Sequence, residues 1–177
     1  MDRLDADPLL TAGIITGANG TFCAGMDLKA FLAGEKPSLP GRGFAGIVEQ
    51  PSVKPLIAAI EGYALAGGFE IALACDMIVA AEDVKFGLPE VKRGLVAAGG
   101  GLMRLPEQIP PRVAMELALT GDFIDAARAV QLGLVNRITD GPAIDAALEL
   151  AATISANGPL AVQVSKQIIN EFRSWPV

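Results

Sequence analysis

The chain has 177 residues, of which 51% are apolar, and this length predicts a single domain with a sizeable core. Its formal charge is −6 and its 14 basic residues are scattered, which argues against a nucleic-acid-binding surface. The chain has no histidine, so histidine-dependent nucleophiles and histidine zinc sites are excluded. We expect no metal site, and any catalysis must use carboxylates and backbone groups.

The first half of the chain alternates short apolar runs with glycine turns. Residues 10–16, 56–60, 77–81 and 84–86 predict strands, whereas residues 27–33 and 69–75 predict short helices. Residues 35–43 contain two prolines and two glycines and predict a surface loop. The cluster of glycines at 99–101 is expected to lead into another short helix.

The second half is mainly helical in its pattern. Pro111 can begin a helix that Gly121 closes, and Asp125 can cap a second helix that Gly133 closes. Residues 143–156 and the stretch after Pro159 carry apolar stripes at helical spacing, which we interpret as core or subunit contacts. The stripe of the last stretch consists of Leu160, Val164, Ile168 and Phe172. These patterns predict an α/β fold with its helices concentrated late.

Two further features bear on the cellular compartment. Cys23 and Cys75 lie in apolar sequence without CxxC spacing, which predicts free, buried thiols in a reducing cytosol. The polar start of the chain and the lack of a long uninterrupted apolar run predict neither a signal peptide nor a membrane span. We therefore expect a cytoplasmic protein.

Glu70 stands out, because it lies in the apolar stretch AGGFEIALACD at residues 66–76. A buried carboxylate is costly unless it is paired, hydrogen-bonded or protonated. Glu70 is therefore either a structural glutamate, held by an arginine or by backbone N–H groups, or a functional one. The glycine turn before it matches neither a P-loop nor a GxGxxG fingerprint. Such a turn can instead offer backbone N–H donors to an oxygen that gains negative charge, and residues 22–28 form a second turn of this kind.

Four segments together resemble the crotonase superfamily, the enoyl-CoA hydratases and isomerases that act on acyl-CoA thioesters. Their order and spacing match the family over most of the chain. They are ITGA at 15–18 with TFCAGMDLK at 21–29, IEGYALAGGFE at 60–70 with CD at 75–76, FGLPE at 86–90, and AARAVQLGLVN at 126–136.

The resemblance implies a hydratase that adds water reversibly to a 2-trans-enoyl-CoA thioester. By it, the backbone N–H groups of Met26 and Gly67 form the oxyanion hole. Glu70 handles the water and Glu90 supplies the α-proton, although the residues alone leave this assignment open. The coenzyme A moiety belongs to the substrate, and no separate cofactor is implied. The implied substrate-binding residues are Ala24, Asp27, Leu28, Lys29 and Gly68.

For the fold, the resemblance implies a spiral of ββα units over residues 1–121 and a helical trimerisation region over residues 122–177, together one structural unit. It implies a homotrimer or a dimer of trimers. Against the family pattern the chain starts late and ends early. Lys29, Lys36 and Arg42 are therefore either coenzyme A contacts or ordinary solvated side chains.

Three alternatives to the hydratase remain open at this point. One is another acyl-CoA hydratase or dehydratase, such as one acting on carnitinyl-CoA. The second is an enoyl-CoA isomerase that uses one glutamate. The third is a truncated, inactive paralogue that binds acyl-CoA, which the missing edges favour and the presence of both Glu70 and Glu90 disfavours.

Overall fold

The computed structural model of the chain describes residues 1–172, so the last five residues of the predicted region 122–177 lie outside the described part. It contains short strands, helices and one 3-10 helix, Pro89–Arg93. The strands are β1 (Gly13–Thr16), β2 (Ser38–Leu39), β3 (Gly43–Phe44), β4 (Leu56–Ile60), β5 (Tyr63–Leu65), β6 (Met77–Ala81), β7 (Lys85–Gly87), β8 (Ile124–Asp125) and β9 (Arg137–Thr139). The helices are α1 (Asp2–Ala6), α2 (Leu28–Leu32), α3 (Gly67–Leu73), α4 (Gly101–Gln108), α5 (Pro111–Thr120), α6 (Ala126–Gln131), α7 (Ala143–Ser155) and α8 (Pro159–Glu171).

The first sheet is parallel and has the strand order β1-β4-β6-β9. All five residues of β4 are buried, because both faces of the sheet are covered. Ile57 packs with Ala143 and Ala147 of α7 on one face, and Ile60 joins the larger core that contains Phe69 of α3 on the other. Coverage of both faces explains why β4 is an uninterrupted apolar run rather than an alternating one.

The second sheet consists of β5, β7 and β8, with β5 and β7 parallel and β7 and β8 antiparallel. The chain alternates between the two sheets: β4 leads to β5 and α3, and β6 then leads to β7 and the 3-10 helix. Two successive turns of chain therefore repeat the pattern of a strand in each sheet followed by a helix. This is the spiral of ββα units that the family resemblance implied, and the α/β class predicted from the sequence pattern is confirmed.

Several predicted elements agree with the structure. Strands β4 and β6 have the predicted bounds, and α5 begins at Pro111 and ends before Gly121, which adopts a left-handed conformation (φ +66°). The side chain of Asp125 accepts a hydrogen bond from the Arg128 N–H (2.8 Å) and caps α6 as expected.

Other predictions were wrong in detail. The first strand begins at Gly13 rather than at residue 10, and residues 35–43 are not only a loop, because β2 pairs with β3. Strand β5 was missed because it is a three-residue segment with an exposed first residue, Tyr63. The region after residue 121 also contributes β8 and β9, which extend the two sheets of the core. Cys75 is buried, but Cys23 is only half-buried.

Helix α8 presents its predicted stripe to solvent within this single chain. Leu160 is 75% exposed and Ile168 43% exposed. Lys166 attaches the helix to the core, because its Nζ donates to the Asp76 carboxylate (2.6 Å) and to the Lys54 carbonyl (2.9 Å). Within residues 1–172, no helix is long and apolar enough to cross a membrane.

Candidate active site

Two glycine turns of the predicted site lie side by side. Cys23 pairs with Ala64 as a parallel bridge: the Cys23 N–H donates to the Tyr63 carbonyl (2.9 Å), and the Leu65 N–H donates to the Cys23 carbonyl (3.0 Å). The chain then turns at Gly25, where an added Cβ would lie 3.0 Å from the Ala66 Cβ and 3.7 Å from the Gly67 nitrogen. The turn that carries Met26 therefore contacts the turn that opens α3.

Gly68 makes this close approach possible. A Cβ at Gly68 would lie 2.7 Å from the Cys23 Cβ and would also overlap the Cys23 backbone carbonyl, so a larger residue cannot fit. Gly67 is the first residue of α3, and amides in the first turn of a helix have no carbonyl partner within that helix. The N–H of Gly67 is thus of the kind that can receive a developing oxyanion.

Glu70 lies in the first turn of α3 and is only 4% exposed. Its Oε1 accepts a hydrogen bond from the Gly101 N–H (2.9 Å) at the start of α4. Burial raises the pKa of Glu70 above its ordinary value, while the backbone N–H groups of Gly101 and Gly99 and the charge of Arg104 act in the opposite direction. The structure therefore explains how this carboxyl group is tolerated in the core: a backbone amide holds it.

Glu90 is half-buried in the 3-10 helix, whose first residue is Pro89. Burial raises the pKa of Glu90, the backbone N–H of Glu90 itself acts in the opposite direction, and the negative charge of Glu70 raises the pKa further, so the two carboxyl groups interact electrostatically. Among the described residues, Glu90 Oε2 is a buried oxygen without a hydrogen-bond partner. Such a group favours its protonated form, so Glu90 can act as a proton donor.

An apolar cavity of about 430 Å³ adjoins Glu90 between the 3-10 helix, α4 and α5. Glu90 is the single charged residue among its lining side chains in the described part of the chain. The other lining residues include Leu88, Val91, Leu105, Ala114, Met115 and Ala118. A cavity of this kind suits a hydrocarbon group placed next to a protonatable carboxyl group.

Phe44 is a site residue that the sequence did not indicate. A Cβ at Gly67 would lie 2.5 Å from the Phe44 Cζ, and a Cβ at Gly99 would lie 3.0 Å from the Phe44 Cδ1. The ring therefore packs against both the opening of α3 and the loop that contacts Glu70. Phe44 was missed because it belongs to β3, next to the stretch interpreted as a loop. The glycine cluster at 99–101 was visible in the sequence, but nothing there pointed to Glu70 as its partner.

The remaining predicted residues lie on or near α2. The side chain of Asp27 caps this helix by accepting from the N–H groups of Lys29 (2.8 Å) and Ala30 (3.1 Å), so its contact in this structure is structural. Ala24, Leu28 and Lys29 are exposed. A substrate role for these residues stays a prediction, as do the oxyanion-hole role of Met26 and Gly67 and the substrate contact of Gly68.

The two other basic residues named as possible coenzyme A contacts differ from each other in their surroundings. Lys36 is exposed, whereas the guanidinium of Arg42 pairs with the Asp2 carboxylate and is therefore not a free cation. Within the described residues, no group of three or more carboxylates or cysteines is arranged to hold a metal ion.

The chain matches known proteins along almost its whole length. The family model described as enoyl-CoA hydratase/isomerase matches residues 1–174. The enoyl-CoA hydratase EchA19 of Mycobacterium tuberculosis is 48% identical, over 99% of this chain and 69% of its own length. A carnitinyl-CoA dehydratase of Proteus mirabilis is 45% identical, over 94% of this chain and 66% of its own length. The crystal structure of the enoyl-CoA hydratase EchA1 from Mycobacterium marinum superimposes with a TM-score of 0.96 at 63% identity, over 99% of this chain and 70% of that one.

The chain belongs to the enoyl-CoA hydratase/isomerase family. The predicted family, the crotonase fold and the predicted class of enzyme are thereby confirmed. The chain spans about two thirds of the length of the curated relatives named here.

Proposed function

We propose that the protein hydrates 2-trans-enoyl-CoA thioesters, with Glu70 and Glu90 as its catalytic residues. The observation that carries this proposal is the pair of neighbouring carboxyl groups, both with a raised pKa, beside two contacting glycine turns. In the reaction the water oxygen bonds to Cβ and gives a proton to the Glu70 carboxylate. The Cα atom takes the proton of Glu90.

The thioester oxygen gains negative charge while these bonds form. In this proposal the backbone N–H groups of Met26 and Gly67 donate to that oxygen. Loss of one such donor typically lowers a rate by about 10²–10³. The acyl chain would enter the apolar cavity next to Glu90, and residues near α2 would contact the coenzyme A moiety.

A carnitinyl-CoA dehydratase is the second candidate, because relatives with this name are 45% identical to the chain. Its chemistry is the same water transfer on an acyl chain that ends in a quaternary ammonium group. Proteins usually bind such a cation with aromatic rings, and no side chain that lines the described cavity is aromatic. The cavity therefore favours an uncharged acyl chain.

Four properties complete the proposal. We expect hydration without a cofactor other than the coenzyme A of the substrate, which dialysis against a chelator followed by assay would test. The exposed stripe of α8 supports a homotrimer or a dimer of trimers, which light scattering would test. The two free cysteines support a cytoplasmic location, which cell fractionation would test. The proposed hydration of enoyl-CoA thioesters supports a role in β-oxidation, which growth on fatty acids would test.

The decisive experiment follows the loss of enoyl-thioester absorbance when crotonyl-CoA is hydrated. We expect turnover by the wild type and a loss of about 10²-fold or more in both Glu70→Gln and Glu90→Gln. The exposed Glu149 provides the matched control, Glu149→Gln, which should keep full activity. A folded wild type that binds the thioester but produces no hydration would contradict the proposal. Conversion of a 3-enoyl to a 2-enoyl thioester that needs one glutamate only would favour the isomerase.

A further inference from the structure

Arg104 connects two segments that are far apart in sequence. It belongs to α4, and its Nη2 donates a hydrogen bond to the Val48 carbonyl. Its Nη1 lies against the backbone of Gly100, where an added Cβ would overlap it, and Gly100 has the left-handed conformation (φ +100°) that glycine permits. A charged donor strengthens a hydrogen bond to a carbonyl oxygen. The half-buried Arg104 side chain therefore links the turn before α4 to the backbone at Val48.

At the Val48 end, this bridge is connected to the Phe44 ring of the site. The N–H groups of Ile47 and Val48 both donate to the Phe44 carbonyl (3.3 and 3.4 Å), so residues 44–48 form one tight turn. The Phe44 ring packs on Gly67, whose backbone N–H is an expected oxyanion donor. A fixed Val48 carbonyl therefore fixes the ring that covers the opening of α3.

The Gly100 end of the bridge controls a carboxyl group. Gly101 donates its N–H to Glu70, and Gly99 lies so close that an added Cβ would be 2.5 Å from the Glu70 Oε2. Gly100 lies between these two residues. A shift of this turn would therefore move both the Gly101 N–H that donates to Glu70 and the Gly99 backbone that packs against the carboxyl group.

We propose that Arg104 is a positioning residue for the hydration reaction, which holds the turn at 44–48 and the turn at 99–101 at a fixed separation. It thereby sets the Glu70 carboxyl group relative to the Gly67 amide. This inference rests on the proposed function, but Arg104 itself does not act on the reacting atoms. Its positive charge near Glu70 also opposes the rise in the pKa of that group.

The kinetic test compares Arg104→Met, Arg104→Lys and Arg137→Met on crotonyl-CoA. Arg137 is exposed on the edge strand β9 and provides the matched control. Misplacement of catalytic groups by about 1 Å can cost about 10²-fold in rate. We expect Arg104→Met to lower kcat by about 10- to 100-fold with a change in KM of less than about threefold. Arg104→Lys keeps the charge and a donor, so it should recover part of kcat, and Arg137→Met should match the wild type.

The second measurement is amide hydrogen exchange, which does not depend on turnover. Arg104→Met should speed exchange in peptides that cover residues 44–50 and 99–101 and should leave α7 unchanged, whereas Arg137→Met should change neither turn. An unchanged kcat in Arg104→Met, unchanged exchange at both turns, or faster exchange throughout the chain would each overturn the proposal. An inactive wild type would instead refute the hydratase function, and the exchange result would still decide whether Arg104 holds the two turns.

Discussion

The opening of α3 and the 3-10 helix each bury a glutamate, but they do so in different ways. At α3 the Glu70 carboxyl group is 4% exposed, accepts the Gly101 N–H and touches the backbone of Gly99. In the 3-10 helix Glu90 is less buried, and its Oε2 has no hydrogen-bond partner among the described residues. The first arrangement fixes a carboxylate in one orientation, and the second favours a neutral acid beside an apolar cavity. In the proposed reaction, Glu70 can thus accept a proton from water while Glu90 donates a different proton to Cα.

The largest effect on the difference between Glu70 and Glu90 is expected from a change in the backbone that packs against the Glu70 carboxyl group. In Gly99→Ala the new methyl group would lie 2.5 Å from Glu70 Oε2 and 3.0 Å from Phe44 Cδ1, so the carboxyl group must move. We expect kcat for crotonyl-CoA hydration to fall by about 10²-fold. Gly158→Ala is the control, because an added Cβ there meets nothing within 4 Å. Unchanged kcat in Gly99→Ala would mean that the fixed position of Glu70 does not matter.

A smaller effect is expected on the Glu90 side. Ala118 lines the apolar cavity, and Ala118→Phe would fill part of it. We expect kcat/KM to fall about tenfold for enoyl thioesters of eight to ten carbons and to change less than about threefold for crotonyl-CoA. The exposed Ala152 offers the control Ala152→Phe. Equal losses for short and long chains would show that the cavity does not receive the acyl chain.

The smallest expected effect is on the pH dependence of the free energy of unfolding. Burial raises the pKa of both Glu70 and Glu90, and a carboxyl group with a raised folded pKa binds its proton more tightly in the folded state. Its contribution to the free energy of unfolding is therefore fully present below the unfolded pKa and is lost as pH rises through the folded pKa.

We expect the free energy of unfolding of the wild type to fall with rising pH in this window. Glu70→Gln and Glu90→Gln should each flatten the curve, because burial raises the pKa of both carboxyl groups in the folded state. Urea denaturation at a series of pH values measures both slopes. An unchanged slope in either variant would show that burial does not raise the pKa of that carboxyl group.

The parts of this fold that the sequence predicted well are those with local causes. Strand β4 is apolar throughout because both of its faces are covered, and Pro111 and Gly121 bound α5 through their own backbone preferences. Glu70 was recognisable because a carboxylate in apolar sequence requires an explanation. The glycine pair before it supplied the second signal.

The parts that could not be predicted depend on distant contacts. The Gly101 amide meets Glu70 across 31 positions, and Arg104 meets the Val48 carbonyl across 56 positions. No local pattern at Phe44 indicated that its ring would cover Gly67. The apolar cavity is likewise formed by the 3-10 helix, α4 and α5 together, each of which reads on its own as ordinary core sequence.

The contact between Gly68 and the Cys23 carbonyl determines which positions of the site can tolerate substitution. If the oxyanion donors are main-chain amides, the side chain of Met26 carries none of the chemistry, and many residue types there would preserve it. The requirement falls instead on Gly25 and Gly68, which let the two turns touch. In a saturation mutagenesis screen, Gly25 and Gly68 would therefore be intolerant positions, while Met26 would tolerate variation.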